Sequence, residues 1–127
     1  MDVPDSVRAS MRQTNALFES EVVRKRDIDA LDKVYTTDAR ILPPGADLIE
    51  GRAAIKEFWR QAIASLGVTD ARLTTVDAEA AGDTVVEIGR AALTLGEGHT
   101  VAVKYVVHWK EEDGAWKWRT DIWNMNQ

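Results

Sequence analysis

Cysteine is absent from these 127 residues. That removes disulfides, a thiolate nucleophile and Cys-ligated metal, and leaves the redox compartment open. Histidine occurs only twice. His99 and His108 fall on opposite faces if one strand carries both, and neither belongs to a His-x-x-x-His pattern or an acidic ligand cluster, so no metal is expected. No glycine-rich phosphate loop exists, since Gly96-Glu97-Gly98 reads as a hairpin turn, and no Ser-His-Asp arrangement is visible. No cofactor is therefore expected. Positive charge is also short: 16 Lys and Arg stand against 21 Asp and Glu, for a net charge of −5. Nucleic acid is not an expected partner, because phosphate binding needs a basic face. No apolar run approaches the roughly 18 residues that span a membrane. The start, MDVPDSVRAS, lacks the basic opening and apolar core of a signal peptide, and a cytoplasmic location is the expectation.

What is abundant is tryptophan, with five in a chain this short. Such side chains gather where a large apolar surface must be covered or a partner gripped. The length suits one domain, residues 1–127, with one core.

Apolar spacing predicts a helix over 6–26, with Val7, Met11, Phe18 and Val22 on one stripe and Asp5 or Ser6 as cap. A short helix after Asp27 carries Ile28, Leu31, Val34 and Tyr35. A strand at Ala39–Leu42, a turn at Pro43-Pro44-Gly45 and a partner at Asp47–Glu50 follow. A third helix runs from Arg52 to Leu66, closed by Gly67 in the left-handed conformation. The second half reads as strands: Asp70–Glu79, Asp83–Thr94, Thr100–Glu111 and Ala115–Met125. The fold class is α+β, a curved antiparallel sheet of six strands wrapped around three N-terminal helices.

Asp113-Gly114 is a strong two-residue hairpin signal. Counting back from it, Trp109 opposes Trp118, Val107 opposes Thr120, Tyr105 opposes Ile122 and Val103 opposes Asn124. The other face pairs His108 with Arg119, Val106 with Asp121, and Lys104 with Trp123, which makes His108 and Asp121 diagonal neighbours. Either the apolar face packs on the helices while the mixed face meets water, or the mixed face lines a pocket and a second subunit covers the apolar one. A turn one residue longer would exchange the faces.

The stretches Asp27-Ile28-Asp29-Ala30-Leu31, Tyr35-Thr36-Thr37-Asp38-Ala39, Pro43-Pro44-Gly45, Gly51-Arg52-Ala53-Ala54-Ile55 and Phe58-Trp59, with the ending Trp116 to Asn124, carry a resemblance. They resemble the SnoaL-like, or NTF2-like, superfamily of ketosteroid-isomerase-like cones, particularly its domain-of-unknown-function subfamily. The resemblance covers nearly the whole chain. It implies a pocket between the curved sheet and one long helix, and a homodimer through the outer sheet face. Isomerases, cyclases, dehydratases and association domains share this fold, so it implies no one activity. By rough alignment, the residues that serve steroid isomerisation are replaced here by Glu19, Pro43 and Val106, and that mechanism is not expected. The glycine that usually ends the first helix is replaced by Arg26, which would cost roughly 1–2 kcal/mol if held left-handed.

The best acid/base pair on offer is then Asp121 with His108. A cross-strand salt cluster of Asp121 with Arg119 or Lys104 is the structural alternative. If a cation contacts Asp121 in a closed site, the carboxylate stays ionised and recognises a ligand. If Asp121 instead lies free beside Trp123 in an apolar wall, desolvation raises its pKa and makes it a general base. Tyr35, Trp59 and Trp123 are the expected aromatic lining, and Lys104 and Arg119 the expected polar contacts. The partner expected is a small hydrophobic molecule, either transformed by proton transfer or simply bound. The expected dimer face is Val103, Tyr105, Val107, Trp109, Trp118 and Ile122.

Overall fold

The first helix starts where Pro4 can begin it without an amide hydrogen to satisfy. In the structure, a computed structural model that describes residues 2–96 and 98–126, α1 spans Asp5–Leu17 and continues as a π-helical segment through Phe18–Arg24. The widened turn brings Phe18, Val22 and Val23 together into the core. Arg26 closes the segment with φ 57°. A non-glycine residue there carries the steric cost foreseen from the sequence.

A 3-10 turn over Ile28–Lys33 replaces the expected second helix, and Tyr35 begins β1 (Tyr35–Leu42) rather than ending that helix. The two-residue β2 (Ile49–Glu50) pairs with the end of β1. Helix α2 spans Arg52–Leu66 and stops at Gly67, whose φ of 66° is the left-handed cap. Long strands follow: β3 (Val68–Ala81), β4 (Thr84–Leu95), β5 (His99–Glu112) and β6 (Ala115–Met125). The turn expected at Gly96-Glu97-Gly98 includes Glu97, which lies outside the described residues.

The six strands lie in the order β2-β1-β6-β5-β4-β3. Pairing is antiparallel except between β1 and β6, which run parallel. That seam is the one departure from the all-antiparallel sheet read from the sequence. It arises because β1 is reached through helices, while β3 to β6 follow one another through tight turns. The inner sheet face packs on α1, the π-helical segment and α2. Helix α1 is tied to β6 by polar contacts: Thr14 Oγ1 donates to the Trp116 carbonyl at 2.5 Å, and Trp118 Nε1 donates to Asn15 Oδ1 at 3.0 Å. Among the described residues no helix is long and apolar enough to cross a membrane.

The last hairpin turns at Asp113-Gly114, both with positive φ (55° and 79°), so Glu112 opposes Ala115 as counted. Trp109 opposes Trp118, also as counted. Beyond that pair a β-bulge inserts Arg119, and the register slips by one: His108 opposes Thr120, Val107 opposes Asp121, and Tyr105 opposes Trp123. A one-residue slip carries every later side chain to the opposite face. Asp121 and Trp123 therefore join Tyr105, Val107 and Trp109 on the inner face. Val106, His108 and Ile122 lie on the outer one.

Candidate active site

Between the sheet and the helices lies a cavity of about 50 Å³. Its wall includes Phe18, Trp59, Leu73, Tyr105, Trp118 and Trp123, with the carboxyl of Asp121 set among them. Helical spacing on α2 turns Phe58 and Trp59 inward, where Trp59 stacks on Trp123 with ring centroids 5.2 Å apart and planes 19° apart. The π-helical segment delivers Phe18, which meets Trp59 edge-on at 5.2 Å and Trp118 at 5.0 Å. The rings fix one another, so the cavity wall is preformed.

Asp121 is buried, at 5% exposure. Tyr35 Oη donates to its Oδ2 at 2.6 Å, and Trp59 Nε1 donates in turn to Tyr35 Oη at 3.2 Å. Burial among apolar side chains pushes the Asp121 carboxyl up to about 7; the Tyr35 hydrogen bond opposes the rise and the Glu87 carboxylate adds to it. The Tyr35 hydroxyl is itself pushed well above its usual value, first by burial and then by Asp121. It therefore stays a proton donor across the working range.

A second polar network lies deeper. Glu87 of β4 is fully buried. Its Oε2 accepts hydrogen bonds from Thr75 at 2.6 Å and Tyr105 at 2.9 Å, and its Oε1 accepts one from Trp109 Nε1 at 2.9 Å. Burial and Glu87 push the Tyr105 hydroxyl far up. Tyr105 reaches Glu87 by crossing Gly89, where a Cβ would sit 2.2 Å from the phenol ring.

Of the residues singled out from sequence, Asp121, Tyr35, Trp59 and Trp123 come together here. His108 does not. The bulge leaves it on the outer face opposite Val86 and Thr120, where burial, Arg119, Lys110 and Arg40 depress its pKa. It cannot pair with Asp121 from there. Lys104 is exposed on the same outer face and donates to Asn124, and Arg119 pairs with Asp38 at 3.1 Å. Neither of these two cations pairs with Asp121, whose carboxyl accepts from Tyr35 instead. The expected dimer face is also corrected. Val103, Tyr105, Val107, Trp109 and Trp118 are at most 7% exposed and form the inner wall, leaving Ile122 alone of that set on the surface.

Sequence reasoning missed Glu87, Tyr105 and Phe18. A lone acid among Val85, Gly89, Ala91 and Leu93 at a spacing of two marks Glu87, but Val86 and Ile88 make the alternate face equally apolar, so the pattern does not choose.

A SnoaL-like domain matches residues 15–118. The chain belongs to the SnoaL-like family. The matched span stops just short of Asp121, so the family assignment by itself says nothing of that residue. No curated protein matches the chain. Among solved structures, an NTF2-like protein with a cystatin-like fold from Novosphingobium aromaticivorans superposes with a TM-score of 0.79 at 16% identity, over 96% of this chain and 83% of that one. A ketosteroid isomerase-like protein from Erwinia carotovora atroseptica gives 0.72 at 16% identity, over 95% and 94%. A hexachlorocyclohexane dehydrochlorinase from Novosphingobium barchaimii gives 0.68 at 18% identity, over 96% and 86%. At these identities the likeness establishes the fold, a SnoaL-like cone, and leaves the chemistry to the residues of this chain.

Proposed function

We propose that this SnoaL-like protein is a small-molecule pocket protein in which Asp121 moves a proton, without a cofactor, on an apolar carbonyl-bearing ligand. The reaction class is isomerisation, cyclisation or hydration. One observation carries the reading: a carboxyl pushed up to about 7 stands in an apolar cavity wall with a tyrosyl hydroxyl on one oxygen and no cation beside it. A base near neutrality is the strongest that is still free to act at neutral pH. In the step proposed, the C–H bond next to the ligand carbonyl breaks and its electron pair passes into the enolate. The proton forms an O–H bond on Asp121, which then returns it to another atom of the ligand. Protonation relieves the desolvation of the carboxylate, so the burial that raises its pKa also drives this transfer.

The test follows exchange of the α-hydrogens of butan-2-one and cyclopentanone in deuterium oxide by proton NMR. Catalysed exchange in the wild type, lost in Asp121→Asn with ketone binding kept, is the expected result. Equal exchange in both proteins overturns the reading.

A second reading, capture without chemistry, is favoured by the donors around the cavity. Trp59, Tyr35, Tyr105 and Trp109 already spend their N–H and O–H groups on internal partners. Ketone binding without exchange in the wild type would select it.

We also infer that a second copy covers the outer sheet face. There Ile88, Val106 and Ile122 lie in one row across β4, β5 and β6, each 40–48% exposed. Rotation by 180° about an axis along β5 lays Ile88 on Ile122 of the second copy and Val106 on itself, so the row is self-complementary. Light scattering should give a dimer at micromolar concentration. Val106→Lys, which sets two ammonium groups face to face, should give a monomer with unchanged far-ultraviolet circular dichroism. A monomeric wild type contradicts the inference.

A further inference from the structure

The proton-transfer reading leaves Glu87 without a part, although a fully buried carboxyl with no cation is among the costlier things a small fold can hold. Its partners are Thr75 and Tyr105 on Oε2 and Trp109 on Oε1. All three are neutral groups, so three hydrogen bonds stand where a counter-ion would otherwise be. The indole N–H can only donate, so it holds one oxygen as an acceptor. The fold also gives up a side chain for this network. Gly89 stays bare so that the Tyr105 ring can lie across it and reach Glu87.

Register then fixes where the anion acts. Glu87 opposes Val107 on β5, and Val107 opposes Asp121 on β6, so the two carboxyls share one row of the inner face with a valine between. Two strand spacings separate their backbones by about 10 Å. Val107 stands between them and all three residues are buried, so their charges are screened less than at a surface. The other titratable groups near Asp121 are Tyr35 from β1 and Tyr105 from β5; Glu19 of the π-helical segment acts on Tyr105 and accepts from the Leu73 amide at 2.6 Å through its Oε2. None brings a positive charge.

We propose that Glu87 is the charge-setting residue of the cavity: a fixed anion behind Val107 that biases Asp121 toward its protonated form and turns anionic ligands away. This rests on the reading of Asp121 as the proton carrier. It narrows the ligand class to neutral apolar molecules, since a carboxylate or phosphate entering the cavity would meet two acidic groups and no cation. Glu87 touches neither ligand nor reacting atoms and acts through Asp121 as a positioning residue.

Glu87→Gln tests this at nearly unchanged side-chain shape. The amide oxygen can accept from Trp109, and the hydroxyls of Thr75 and Tyr105 can turn to accept from the amide nitrogen. Carboxyl carbon-13 NMR follows Asp121 through a pH titration. The midpoint near 7 in the wild type should fall by about one pH unit in Glu87→Gln, as expected for one charge at about 10 Å and an effective dielectric constant near 20. An unmoved midpoint overturns the proposal. The wild type supplies a second measurement should the variant fail to fold. Ligand charge is read with isobutyramide and isobutyrate, which share a shape. In the wild type isobutyramide should bind more tightly than isobutyrate at pH 8, and equal binding overturns the proposal. Glu87→Gln should narrow that preference several-fold; an unchanged preference overturns it. Exchange in Asp121→Asn decides the proton-transfer reading, whereas the titration midpoint decides this one, so either can fail alone.

Discussion

A carboxyl group among indole rings either keeps its charge at a cost or takes up a proton. Asp121 does the second near neutrality, and the consequence reaches folding stability. Its folded pKa, about 7, lies above the unfolded value of about 3.9. Below about pH 4 both states are protonated and Asp121 costs nothing. As pH rises from about 4 to 7 the unfolded state gives up its proton first, and stability falls; above 7 the loss is complete, at about 4 kcal/mol by linkage. Asp121→Asn should therefore stabilise the protein at pH 8 by a few kcal/mol and have little effect at pH 4. Urea unfolding at the two pH values measures this. A variant less stable than the wild type at pH 8 contradicts the buried-acid description. Tyr35→Phe should move the Asp121 midpoint upward, because the hydroxyl that opposes the rise is gone.

At the scale of elements, two devices make the site: the bulge at Arg119 and the bare backbone at Gly89. Gly89→Ala puts a methyl group into the Tyr105 ring. Overpacking of this kind costs typically 1–3 kcal/mol, and it also pulls Tyr105 away from Glu87. Thermal melting should show the loss, and a wild-type melting temperature contradicts the packing described. These devices also mark how far the sequence could be read. Helical spacing placed Phe18 and Trp59 inward, Asp113-Gly114 gave the turn, and the helices and long strands followed from periodicity. The bulge has no such signal. Arg119 is an ordinary strand residue by composition, and its insertion depends on how β6 meets both β5 and the parallel β1. Counting through it without the slip put His108 beside Asp121, and put Val106 and Ile122 on opposite faces although they pair on the outer one. The resemblance put Tyr35 forward as a pocket residue, but nothing in the sequence marked it as the partner of Asp121, since the two are 86 positions apart and meet across a parallel seam that no hairpin rule predicts.

Across the whole molecule, the cone separates two kinds of surface. Its inner face carries the aromatic wall, the Tyr35–Asp121 pair and the Glu87 network. Its outer face carries the apolar row of Ile88, Val106 and Ile122 together with His108, Arg40 and Lys104. A chain with a net charge of −5 thus holds two of its acids inside, with neutral hydrogen-bond donors as their partners among the described residues. That distribution is costly for stability and is what the proposed role of Asp121 calls for. The SnoaL-like fold supplies the cavity; Asp121, the acid proposed to act in it, lies just past the matched residues 15–118. The most direct test is the pH dependence of α-hydrogen exchange in cyclopentanone. Catalysis by the wild type should rise as pH increases through about 7, level off above it, and be absent in Asp121→Asn. A profile that follows hydroxide concentration without a plateau, and is the same in the variant, would contradict the account.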